Sequence, residues 1–154
     1  GAGRASREVP TSTNDPIAPA VTDFIAQGRV AHLATVDEAG TPHVVPICYA
    51  IDDRRLYTAL DRKPKRVDVR RLRRVRNIAA NPRVSIVVDR YSEDWSELGY
   101  VLLSGTASVL ESGEERGRAE AMLREKYPQY ADMLDDGSPI IAIHIETVVS
   151  WGRV

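Results

Sequence analysis

Residues 29–66 read RVAHLATVDEAGTPHVVPICYAIDDRRLYTALDRKPKR, and the fold is decided in this stretch. Residues 30–36 are β-like, residues 37–42 carry the Asp, Gly and Pro chemistry of a turn, and residues 43–51 resume extended structure. The two extended runs are expected to form a hairpin. In the second run Val45, Ile47, Tyr49 and Ile51 share one face at period two, with Val44, Pro46, Cys48 and Ala50 on the other. Both faces are largely apolar, as in a barrel wall covered on its outside. Pro46 cannot donate to a ladder, which places it at an edge, at a bulge or facing a ligand. A turn at residues 52–54 leads to a strand over 55–60.

N-terminal to this stretch, Ile17, Val21, Phe24 and Ile25 recur at helical spacing, and Gly28 ends that short helix. Residues 1–16 are rich in Gly, Ser, Thr and Pro and read as a tail, disordered or extraneous to the natural chain, so the domain is expected to span residues 17–154. On the C-terminal side, Val69, Leu72, Val75 and Ala79 form one helical stripe inside a basic stretch, and Asn81-Pro82 closes that helix. Strands follow over 83–89 and 100–110, separated by a polar loop containing Trp95; Gly105 marks a bulge or a barrel corner. Ser112 and Glu115 stand at capping-box spacing before a helix that reaches about Tyr127, which Pro128 interrupts. The last strand covers 140–149. Six mostly hairpin-connected strands with few helices predict a mainly β, α+β domain: a six-stranded antiparallel barrel with flanking helices.

With 154 residues and a formal net charge of -1, the chain is the size of one domain and has no overall bias toward nucleic acid or membrane. The lone cysteine, Cys48, excludes an intramolecular disulfide framework and a multi-cysteine zinc site, and with the lack of a membrane-spanning run or signal peptide it points to the cytoplasm. No side-chain set proposes acid, base or nucleophilic catalysis. His32, His43 and His144 lie in expected strands and read as packed residues without metal-binding spacing, so no metal is expected. Cys48 reads as an inert thiol. Dinucleotide and nucleoside-triphosphate glycine motifs are absent.

The remaining signal is Arg62, Lys63, Lys65, Arg66, Arg70, Arg71, Arg73, Arg74 and Arg76, interrupted by one acid, Asp68. Such mutual repulsion calls for a counter-anion. Phosphate binding is the leading reading: Thr58 ends a strand, Lys63, Lys65 and Arg66 fill the next turn, and a helix N-terminus adds N–H donors. The plainer alternative is a solvated helix face. Nucleic acid is a third, weakened by the neutral total charge and by few interleaved aromatics.

The ordered set of motifs resembles the flavin and deazaflavin split-barrel superfamily to which pyridoxamine-phosphate oxidases belong. It comprises the quoted stretch with Pro42 and Pro46 spaced P-x-x-x-P, NIAANPRVSIVVD at 77–89, DRYSEDW at 89–95 and LLSGTASV at 102–109. The resemblance implies a phosphate held by Thr58, Lys63, Lys65, Arg66, Arg74 and Asn77. It also implies a tricyclic ring lying along His43, Val45, Pro46, Ile47 and Cys48, and a homodimer whose second subunit closes the site through Trp95 and Trp151. The chain stops at Trp-Gly-Arg-Val without the family's C-terminal Arg and His signature, so pyridoxal phosphate is not the expected substrate. The Arg-rich stretch and the Ser-Glu-Asp-Trp loop look most like the actinobacterial branch that uses coenzyme F420, with FMN as the alternative cofactor. A polyglutamate tail would give the extra arginines a use. That branch implies an oxidoreductase transferring hydride between C5 of the deazaflavin and a small organic substrate, with water, Tyr49 or Tyr91 as the proton source. A non-catalytic flavin- or haem-binding protein is the competing class.

Overall fold

A computed structural model describes residues 16–60 and 71–154, together with the backbone of residues 7–9. Its elements are β1 (Arg7–Val9), α1 (Pro19–Gln27), β2 (Ala31–Val36), β3 (Pro42–Ile47), β4 (Ala50–Asp52), β5 (Arg55–Ala59) and α2 (Arg73–Ala80). Then come β6 (Arg83–Arg90), β7 (Gly99–Leu110), α3 (Glu114–Lys126), α4 (Tyr130–Met133) and β8 (Ile140–Gly152). All strand pairs are antiparallel, in the order β3-β2-β6-β7-β8-β5-β4, with β1 added to β8.

The first hairpin forms as its turn chemistry requires. Asp37 Oδ1 accepts from the N–H groups of Ala39 and Thr41, each at 2.9 Å, and Gly40 takes φ +83°, a conformation that suits a residue without Cβ.

The strand count differs from six for a local reason. The expected strand over 43–51 breaks at Cys48 and Tyr49, so that β3 pairs with β2 while β4 pairs with β5 at the other end of the path. The barrel is split there, its two ends joined by a covalent corner rather than a ladder. Part of the expected tail also joins the sheet, with Arg7 opposite Ser150 and Val9 opposite Val148.

A bulge lies opposite Gly105, where its sequence position suggested an irregularity. Ser104 faces Thr147 but Gly105 faces Ile145, leaving Glu146 as the extra residue, and a Cβ at Gly105 would overlap the His144 carbonyl. Such a bulge strands carbonyls without ladder partners. The buried Arg54 side chain satisfies two of them, donating from Nη1 to Ile145 O at 2.9 Å and Glu146 O at 3.3 Å.

Two apolar clusters result. The barrel interior holds Leu33, Ile47, Leu56, Ile86, Leu103, Ile141, Ile143 and Ile145 with Val21, Phe24 and Ile25 of α1. Outside β5 and β8, Tyr57, Ala59, Ile140 and Ala142 pack under Ala119, Leu123, Tyr127 and Tyr130. Burial on both faces is why residues 140–145 are almost uniformly apolar.

Two helix expectations change. Gly113, not Ser112, caps α3, without a side-chain bond, and Glu115 accepts from Tyr57 Oη at 2.8 Å. In α2 the buried positions are Asn77 and Ile78, while Ala79 is exposed, since the helix starts only after Leu72 and turns Ile78 toward the barrel. Among the described residues no helix is long and apolar enough to cross a membrane, and no His, Cys, Asp and Glu cluster is arranged to hold a metal.

Candidate functional site

The break between β3 and β4 opens a groove. Among the described residues β3 ends the hydrogen-bonded path, so one of its edges has no neighbouring strand there, which is also why two prolines are tolerated. Along this edge lie Val45, Pro46, Ile47 and Cys48; Thr58 and Ala59 of β5, Leu72 and Arg74 at the start of α2, Val30 and Tyr130 complete a groove of about 440 Å³. That volume is in the range of small-molecule and cofactor sites. The walls are largely apolar, and the charged side chain among the described lining residues is Arg74.

Six of the residues expected at a cofactor site are therefore together: Val45, Pro46, Ile47, Cys48, Thr58 and Arg74. His43 is on β3 opposite Thr35, half-buried and away from the groove. Asn77 faces β2 rather than Thr58, donating from Nδ2 to Thr35 Oγ1 at 3.0 Å; it lines a separate polar depression with Asp37, Glu38, Arg73 and Arg76. Trp95 sits in the 3-10 turn Trp95–Glu97 and is 72% exposed. Trp151 stacks on Tyr100 at 5.7 Å between ring centroids. Lys63, Lys65 and Arg66 lie outside the described residues.

Val30, Leu72 and Tyr130 are groove residues that the sequence reading did not single out. Tyr130 comes from beyond the helix-breaking Pro128, where no period carries a signal. A second cavity of about 510 Å³, lined by Leu60, Val75, Ile78, Ala79, Ala107 and Val109 with Arg76 and Glu111, also went unread. Both flanking depressions thus carry carboxylates, Asp37 and Glu38 in one and Glu111 in the other, whereas the β3 groove presents a guanidinium and a buried threonine without a described acid.

Tyr49 is not free to donate a proton to a substrate. It is fully buried, its hydroxyl donates to Ile25 O, and burial raises its pKa further above the ordinary tyrosine value. Beneath the groove, Lys126 Nζ lies 4.0 Å from the Tyr49 ring centroid and 5.4 Å from that of Tyr127. Burial and the Arg29 guanidinium push this ammonium down to about 8, while the ring faces act the other way.

Comparison with known proteins fits this geometry. A protein from Streptomyces rimosus subsp. rimosus, described as a 5a,11a-dehydrotetracycline/5a,11a-dehydrooxytetracycline reductase, is 35% identical over 133 residues, covering 86% of this chain and 80% of its own. A FAD-binding protein from Mesorhizobium loti superposes with a TM-score of 0.68 at 22% identity over 96% of this chain and 98% of that one. The haem storage protein HutZ from Vibrio cholerae gives 0.66 at 18% identity over 90% and 98%; these two likenesses show the shared fold. The family model for pyridoxamine 5'-phosphate oxidase matches residues 17–152. On that match and the identity to the Streptomyces reductase, the chain belongs to the pyridoxamine 5'-phosphate oxidase family.

Proposed function

We propose that the β3 groove binds a phosphorylated flavin or deazaflavin, coenzyme F420 with FMN as the alternative, and that the protein is a reductase acting on a small, conjugated organic substrate. The observation that carries this reading is the meeting of residues 45–48 with Thr58 and Arg74 in one apolar groove. Thr58 and Arg74 suit a phosphate, and Val45, Pro46, Ile47 and Val30 offer a planar ring an apolar wall that excludes water. When bound, the reduced ring supplies the hydride. The chain's task is to hold the ring and the substrate in register. No described lining residue of the groove is a carboxylate or a histidine, consistent with chemistry carried by a cofactor. The naming of the 35%-identical relative as a reductase of a polycyclic substrate supports the same class of reaction.

Arg71 and Arg73 are exposed where the chain enters α2, and carboxylates of a polyglutamate tail would meet them there; this favours F420 over FMN. A second copy of the chain closes the groove, bringing Trp95 to its partner's site. Haem is the weaker reading, because His32, His43 and His144 all lie outside the groove.

The test is a binding panel of F420, FMN and haem, read by spectrum and affinity on a species whose mass is fixed by sedimentation. A dimer that binds F420 most tightly, and less so as salt rises, is expected. Exclusive haem binding, or a monomer binding F420 with full affinity, contradicts the reading.

A further inference from the structure

Tyr127, at the C-terminal end of α3, lines none of the groove, yet one hydroxyl of this buried side chain ties together the backbone behind it. The Tyr49 N–H donates to Tyr127 Oη at 3.1 Å, and Tyr127 Oη lies 2.9 Å from Arg29 O and 3.1 Å from Tyr49 O. A phenol has one proton, so it serves one of the two carbonyls at a time. Tyr49 falls in the gap between β3 and β4, outside either strand, and the hydroxyl stands where a ladder acceptor would be.

Each tied residue is adjacent in sequence to a groove residue. Arg29 precedes Val30, and Tyr49 follows Cys48. The Tyr127 ring also packs at 5.6 Å on Tyr130, a third lining residue, and the Arg29 guanidinium lies over the Tyr127 ring, 4.7 Å from its centroid. Arg29 in turn donates to Lys126 O at 2.9 Å, closing the arrangement on α3. Three groove residues drawn from three separate segments are thus referred to one side chain.

We propose that Tyr127 is a positioning residue that sets the separation of Val30, Cys48 and Tyr130, and through it the seating of a planar ring in the groove. This rests on the cofactor reading above. Among the described residues the Cys48 corner has no strand neighbour to hold it, and an error of about 1 Å in such a wall is enough to misplace a bound ring.

Tyr127→Phe keeps the ring and its packing and removes the hydroxyl. Its FMN and F420 dissociation constants should rise about tenfold, the scale of one hydrogen bond, and the induced circular dichroism of bound FMN should change. The control is Ile86→Val, in the core on β6, a strand that contributes no described residue to the groove; it should lower stability and leave both constants as in the parent. Equal constants for Tyr127→Phe and parent, or equal shifts in both variants, overturn the inference while the cofactor reading stands. A parent that binds neither FMN nor F420 overturns both. Should Tyr127→Phe fail to fold, amide exchange on the parent decides: saturating FMN should slow the Tyr49 amide by at least about fivefold, whereas unchanged exchange there overturns the inference.

Discussion

In the proposed function, Arg74 is the described groove residue that would meet a cofactor's phosphate. Its guanidinium can meet a phosphate with paired donors, and the apolar walls around it lower the local dielectric. Arg74→Ala should weaken FMN binding by about 1.5–3 kcal/mol, the range for a hydrogen bond to a charged group. Riboflavin, which lacks the phosphate, should bind parent and variant alike. Calorimetry with both ligands checks this, and equal losses for FMN and riboflavin would assign Arg74 to the shape of the groove instead. At this scale two groove-lining residues were legible in the sequence, because Pro46 announces an edge and Thr58 the end of a strand. Asn77 was not. It is three residues from Arg74 on the same helix, and only the packing of α2 on β2 reveals that its amide is used by Thr35.

Among the elements, the C-terminal turn of α3 has its own titration. Lys126 is pushed down to about 8 in the fold, against about 10.4 in an unfolded chain. Below pH 8 both states carry the proton and the folded state bears the full penalty of the buried charge. As pH rises from 8 toward 10 the unfolded chain binds more protons, so this group makes the protein more stable. Above pH 10 Tyr49, Tyr57 and Tyr127 reverse the trend, because burial keeps their phenols protonated in the fold after unfolded tyrosines have ionised. Lys126→Met should abolish the gain between about pH 8 and 10, read as urea midpoints across that window. A gain of parental size in the variant would place its origin elsewhere.

The hairpin, α1 and the Gly105 bulge could be read from turn residues, helical spacing and one glycine. The break between β3 and β4 could not. Ile47 and Tyr49 both point inward across it, so the alternation that sets side-chain faces is preserved while the hydrogen-bonding partner changes. The groove depends on that change of partner, which explains why its wall was identified but its shape was not.

At the scale of the molecule, one sheet face has no helix on it among the described residues. Pro46, His32, Val87, Leu102 and Val149 are register neighbours from β3 to β8, and Val44 beside them is 63% exposed. An apolar outer side of β3 is expected to be covered, and among the described residues it is not. A second copy is the proposed covering, and Pro46 belongs both to that face and to the groove. The most direct measurement is a crystal structure of the protein with F420 or FMN bound. A ring along residues 45–48, a phosphate at Thr58 and Arg74, and a second copy seated on the open face are expected. A ring bound instead in the cavity of Leu60, Val75 and Ile78, or a phosphate remote from Arg74, would contradict the proposed function.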